Sequence, residues 1–465
     1  MKRMWISLAL ALLLWLPAGG VGAQEEGVEG PVYIVQPGDS LWKIAQVFRV
    51  ALDDLIAINQ IQDPAQLSVG TRLLIPGLEW MNAVLVTYPA PFGENFWSLS
   101  RRYKLPFDDF ARLNRMTNPE GVYAGLILIL PQTNEVDQVP EGGRATLGQS
   151  QSLLELAITQ NVSPWELVFA NGLQGTWAVA PGETLYVPSS KDTGPGALPE
   201  SVESIEVSPL PVVQGQVVIV RLKARDLPAL GGQLADWPLH FFPVEDGFVA
   251  LQGIHAMQEP GLYPFRLDFT LPDGTSASFG QQIVLRDGNY PFDPPLVVNS
   301  ETVDSENTQP EDLEWFSIVE PVTPEKMWDD VFQAPMPDYL KDCYPSRFGN
   351  RRSYNGSAYR YFHTGLDFCG QVGVEISAPA PGVVVFAGPL TVRGNATVID
   401  HGWGVYTAYA HQSEIFVQVG EWVETGQVIG LVGSTGRVTG PHLHWEVIVG
   451  GVQVDPLPWL SQIYP

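Results

Sequence analysis

The chain has 465 residues, enough for several domains with separate cores, and its 45% hydrophobic content is that of a folded protein. Lys and Arg number 25 against 51 Asp and Glu, giving a formal net charge of −26. No basic run occurs, and phosphate binding needs clustered positive charge, which argues against nucleic acid and anionic membranes as partners and leaves solubility as the reading of the acidity.

The N-terminus "MKRMWISLALALLLWLPAGGVGAQ" places Lys2 and Arg3 before an apolar run that ends near Leu16. Val21-Gly22-Ala23 fits a small-residue cleavage site, so residues 1–23 read as a secretory signal peptide. The run is short for a membrane span of ~20 residues, and Pro17, Gly19 and Gly20 break it. The expectation is a secreted protein of the cell envelope with no integral membrane segment after signal cleavage.

Three segments then share one order of parts: 32–76, 84–131 and 144–188. Each has a helix-period stretch such as "LWKIAQVF", then a second short helix ending near Asn59, Asn114 or Asn171, then a strand closing on Pro76, Pro131 or Pro188. The pattern resembles the LysM module, a βααβ unit that binds glycans containing N-acetylglucosamine. The first copy, with "VQPGDSLWKIA" and "VGTRLLIP", matches closely and implies sugar binding. The second keeps Trp97 and Leu99 but loosens its opening, and the third lacks the Gly-Asp pair, so these divergent copies stay open between binder and spacer. Trp42, Trp97 and Trp165 read as core residues of small helical units.

Residues 189–204 are rich in Gly, Pro and Ser and read as a linker. From 205 to 298 the pattern turns to period two, with "GQVVIVRLKA" alternating and Asp273-Gly274 between apolar runs as a hairpin signal. This predicts an all-β sandwich. It resembles the immunoglobulin-like domain that precedes the catalytic unit in some exported peptidases, and its His240 and His255 read as structural. Residues 299–315 are acidic and polar and read as a second linker.

The last segment, 316–465, holds the chemistry. Five of the seven histidines lie beyond residue 360: His363, His401, His411, His442 and His444. "GPHLHWEV" reads as a strand, so His442, His444 and Glu446 share one face, the imidazoles roughly 7 Å apart, and Leu443, Trp445 and Val447 take the other. In "YFHTGLDF" a turn at Gly365 can fold His363 and Asp367 together, and "VYTAYAHQSE" is an alternating strand ending at His411. Three His/Asp ligands with an open fourth position make a catalytic zinc site, and further imidazoles can move protons or stabilise an oxyanion.

"HTGLD", "YAHQS" and "GQVIGLVGSTGRVTGPHLHWEV" together resemble the M23 family of zinc metallopeptidases, also called LytM or lysostaphin-like. The resemblance implies a mostly antiparallel β catalytic domain with a groove over its sheet. It implies His363, Asp367 and His444 as Zn2+ ligands, and His411 and His442 as the catalytic histidines. The implied substrate is the peptide of peptidoglycan, whose glycan the LysM-like repeats would hold. An alternative is a wall-binding regulator of other hydrolases, but such relatives have lost ligands and this site has lost none. An autoinhibited version, with residues 316–360 or the β domain over the groove, also stays open.

The only cysteines, Cys343 and Cys369, read as a disulfide in an oxidising compartment, with Cys369 as a metal ligand or nucleophile the rival reading. His401 reads as a structural turn residue. Glu446 stays open between supporting the site and facing solvent. The hairpin at 419–433 also resembles lipoyl carriers, but no Lys follows Lys341 to be modified.

Overall fold

The computed structural model describes residues 30–132, 142–188, 192 and 194–465. The expected signal peptide lies outside the described residues, as do 189–191 and 193 of the expected first linker. The chain divides into two compact units, Met1–Val86 and Thr87–Pro465.

In the first unit, strand Pro31–Ile34 pairs antiparallel with Arg72–Leu74 around helices Leu41–Phe48 and Leu52–Ile58. The first helix starts where the Ser40 side chain accepts from Lys43 N–H and stops where Arg49 turns left-handed at φ 53°. Its Leu41, Ile44, Ala45 and Phe48 recur at helical spacing and are buried. Trp42 falls off that stripe and is 62% exposed.

The second unit repeats the theme with helices Phe96–Arg102 and Phe107–Leu113, then with Leu153–Thr159 and Pro164–Ala170. Trp97 and Trp165 are 44% and 60% exposed. The three tryptophans are therefore not core residues: each sits beside the buried stripe of its helix rather than on it.

One asparagine ties each repeat together. Asn59 accepts from Leu74 N–H at 2.7 Å and donates to the Leu74 and Leu55 carbonyls. Asn114 does the same with Ile129 and Phe110, and Asn171 with Tyr186 and Leu167. The amide thus satisfies the last turn of a helix and the closing strand at once.

The described part of the first expected linker is packed. Leu198 and Val202 are fully buried, and the Arg144 guanidinium donates to the carbonyls of Pro195, Leu198, Pro199 and Val202. Two sheets follow. One pairs Val217–Ala224 with Val202–Ser208 and Gly247–Gly253, and the other holds the Gly261–Thr270 and Ser276–Arg286 hairpin that turns at Gly274, φ +83°. Val220 and Leu222 of one sheet share a core with Phe265 and Leu267 of the other.

The second expected linker is corrected outright. It contains the 3-10 helical turn Ser300–Thr302 and the start of helix Ser305–Val319, whose Trp315 and Val319 are buried against Val398, Tyr406 and Ile448. The acidic residues cover the solvent side, except Glu311, which is buried and accepts from the backbone N–H of Val392 and Arg393. Tertiary packing of a few large side chains orders a segment whose composition alone suggested none.

The final domain is built on one antiparallel sheet. Strand His442–Val449 lies between Leu366–Cys369 and Val405–Ile415, which continues to Gly394–Asp400 and Gly382–Leu390. Leu443, Trp445, Val447 and Val449 are fully buried in its core, leaving the opposite face of that strand to His442, His444 and Glu446.

Candidate metal centre

Sheet register assembles the site. Asp367 pairs with His444, so their side chains emerge on the same face. His363 arrives from the loop before that strand, and Gly365 makes the approach possible: a Cβ there would collide with the Trp445 carbonyl and the His444 ring. The result is a triangle of donor atoms. His363 Nε2 is 2.9 Å from Asp367 Oδ1 and 3.0 Å from His444 Nδ1, and His444 Nδ1 is 2.9 Å from Asp367 Oδ1.

The outer nitrogens decide the tautomers. His363 Nδ1 donates to the Arg347 carbonyl at 2.8 Å, with Ser346 Oγ at 3.2 Å. His444 Nε2 donates to Glu446 Oε1 at 3.0 Å, and Thr364 Oγ1 donates to the same oxygen at 2.7 Å. Both imidazoles therefore aim a lone pair at the triangle that Asp367 completes. Such a set repels itself unless a cation or proton sits among the donors, which is the donor chemistry of a metal centre with a supporting second layer. His363, Asp367 and His444 are also the group among the described residues that could hold a metal ion.

Without a metal the electrostatics follow the same logic. Burial pulls the His363 imidazole down to about 4. Burial opposes charge on His444 too, but hydrogen bonds and attraction from Asp367 and Glu446 outweigh it and push that group up to about 9. Burial likewise works against Asp367, yet His363 and His444 hold its carboxyl well below the usual range.

Two more histidines flank the triangle. His442 Nδ1 donates to the Gly440 carbonyl at 2.8 Å, which leaves Nε2 3.5 Å from Asp367 Oδ1. His411 Nδ1 donates to the Thr435 carbonyl at 2.8 Å, and its ring lies 5.0 Å from that of His442 and 5.8 Å from that of His444. Strand alternation alone would not put His411 here. Its neighbour Ala410 pairs with His444 and takes the site face, so His411 should face the core. Instead the ladder to Gly394–Asp400 shifts register between Tyr409 and Gln412, which oppose Thr397 and Asn395, and His411 adopts φ +64°, which swings its ring onto the site face.

All five residues predicted from the sequence thus converge on one cleft of about 730 Å³. His401 does not: it is buried, donates Nδ1–H to the Pro381 carbonyl and accepts from Thr407 Oγ1. Sequence reasoning missed Arg352, whose Nη2 lies 3.7 Å from Asp367 Oδ2 and donates to Ser346 Oγ. It also missed the Ser346–Arg347 segment, because backbone carbonyls carry no sequence signal. The disulfide is present: Cys343 and Cys369 have Cα atoms 5.4 Å apart, within ordinary bridging range. It ties the Ser346–Arg347 segment to the strand that bears Asp367. His255 lies at the cleft wall, its ring 5.0 Å from Phe362.

A His/Asp triangle on an antiparallel sheet, with two further imidazoles over an open cleft, defines the metallopeptidase class of site. Residues 361–456 match peptidase family M23, and residues 33–76 and 92–131 match the LysM domain, so the chain carries an M23 peptidase domain and LysM domains. The DD-carboxypeptidase/endopeptidase Mpg of Neisseria meningitidis serogroup B is 48% identical over 95 residues, 20% of this chain and 22% of that protein. Peptidoglycan DD-endopeptidase ShyA of Vibrio cholerae is 43% identical over 112 residues, 24% of this chain and 26% of that protein. The matched part therefore spans about a quarter of the length of these relatives. A Pseudomonas aeruginosa crystal structure described as an M23 peptidase is 26% identical, covering 55% of this chain and 96% of that one, with a TM-score of 0.41. Among the described residues no helix is long and apolar enough to cross a membrane.

Proposed function

We propose that this protein is an exported, cell-wall-associated zinc endopeptidase that hydrolyses peptide bonds in peptidoglycan cross-links or stems. The observation that carries the reading is the donor triangle, with both imidazole N–H groups turned outward onto Arg347 and Glu446. His363, Asp367 and His444 would hold zinc. When bound, zinc supplies Lewis-acid chemistry, acidifying a water and polarising a carbonyl.

The chain's own groups supply the rest. His411 and His442 each have Nδ1 committed to a backbone carbonyl, and His442 Nε2 lies 3.5 Å from Asp367 Oδ1 beside the triangle. One unprotonated Nε2 can take the proton of the attacking water and deliver it to the leaving amine, while the other ring, when it also carries a proton on Nε2, can donate to the oxygen that gains charge. Thr435 and Gly440 hold the rings in orientation. The LysM repeats would keep the enzyme on the glycan and raise its effective concentration at the peptides. The two-sheet unit is assigned to the immunoglobulin-like type on its strand alternation. The relatives' names make a DD-type cross-link the first bond to test.

The experiment is digestion of purified peptidoglycan by the mature protein, with and without a chelator, read by mass spectrometry. Chelator-sensitive peptides with new termini support the proposal. A zinc-loaded protein that pellets with the wall yet releases nothing from any cross-link type points instead to the regulator.

A further inference from the structure

Four arginines line the cleft: Arg352, Arg360, Arg393 and Arg437. In a chain with 25 basic and 51 acidic side chains, that concentration calls for a reason. Two of the four are matched by the protein itself. Arg352 lies 3.4 Å from Asp293 and 3.7 Å from Asp367, and Arg393 lies 3.0 Å from Glu311 and 3.6 Å from Asp312. Among the described residues Arg437 and Arg360 make no ion pair.

Arg437 is nevertheless held in place. Its Nη1 donates to the Thr302 carbonyl at 3.1 Å, its guanidinium lies 4.5 Å over the Tyr354 ring, and its backbone N–H donates to the Val392 carbonyl. A guanidinium has several N–H donors, and these contacts leave most of Arg437's without an acceptor among the described residues. A stacked, oriented guanidinium is suited to grip a carboxylate through two parallel hydrogen bonds. The loop that carries Arg437 also carries Thr435, whose carbonyl orients His411, and it leads directly into His442. A group bound by Arg437 is therefore held in register with both flanking histidines.

We propose that Arg437 is a specificity determinant that binds a free carboxylate of the peptide substrate, with the exposed Arg360 as a second, outer cation. The site then takes anionic cross-link peptides in preference to uncharged glycine-rich bridges. This inference rests on the peptidoglycan-endopeptidase reading of the same cleft.

The test uses the zinc-loaded full chain and two synthetic cross-linked peptides, identical except that the free carboxylates of one are carboxamides in the other. Wild type is expected to favour the carboxylate peptide by about ten- to a hundredfold in kcat/KM, the range of charge-assisted hydrogen bonds. Arg437→Gln is expected to bring that ratio close to one, and Arg437→Lys to keep part of it. If Arg437 only latches its loop to Thr302, Arg437→Gln lowers both rates and preserves the ratio, and the proposal falls. Should Arg437→Gln not fold, the wild-type ratio decides: a value near one overturns the proposal and leaves the peptidase reading standing. Cleavage of neither peptide overturns that reading and the proposal with it.

Discussion

Glu446 holds His444 from behind. The two residues share one face of a single strand, and His444 Nε2 lies 3.0 Å from Glu446 Oε1. The carboxylate fixes the tautomer that turns Nδ1 to Asp367 and His363. Glu446→Gln keeps an acceptor but loses the charge, so zinc affinity is expected to fall about ten- to a hundredfold. Competition against a chromogenic chelator measures this, and unchanged affinity would remove Glu446 from the site.

The proposed ligands and the flanking histidines should separate by metal content. His363→Ala and His444→Ala are expected to lose both zinc and hydrolysis. His411→Ala and His442→Ala are expected to keep one zinc per chain while turnover drops by about a hundred- to ten-thousandfold. Metal analysis after dialysis, beside peptide release from the wall, distinguishes the two groups. A His411 variant with wild-type turnover would contradict its assigned role.

The disulfide is expected to matter twice. Cys343 and Cys369 are 26 residues apart, so losing the cross-link costs about 3.5 kcal/mol in loop entropy. It also frees the segment whose Ser346 and Arg347 orient His363. The Cys343→Ser/Cys369→Ser pair should therefore show a lower denaturation midpoint and weaker zinc binding in the refolded protein. Loss of stability with zinc affinity intact would confine the bridge to a structural part.

His401 makes the peptidase domain sensitive to acid. Burial pulls its imidazole down to about 4, while an unfolded histidine titrates near ~6.5. The unfolded chain thus binds the proton first, so the contribution is complete above pH ~6.5 and is lost as pH falls toward 4. Its size is about 3 kcal/mol. Urea denaturation at pH 7 and pH 4 should show the stability margin of wild type over His401→Gln shrinking by about that amount. A margin independent of pH would mean that His401 is not held neutral.

Much of this protein was legible in its sequence. Strand alternation in "HLHWEV" put His442, His444 and Glu446 on one face, and the period-two pattern with Asp273-Gly274 announced the hairpin that the structure contains. Helical spacing located the helices of the repeats and the asparagines that close them. It misled where burial depends on partners far along the chain. Trp42, Trp97 and Trp165 look like core residues until the buried stripe is known, and 299–315 looks like a linker until Trp315 finds Tyr406 and Ile448.

The sequence by itself determined which side chains could meet a metal, because local periodicity sets the face each one takes. Tertiary structure decided which of them meet and in what state. Strand pairing set Asp367 opposite His444, a backbone kink brought His411 onto a face that alternation denied it, and distant backbone carbonyls chose the tautomer of His363 and the orientation of both flanking rings. Faces follow from the chain's own repeat, whereas register, kinks and carbonyl acceptors arise only when separated segments pack together.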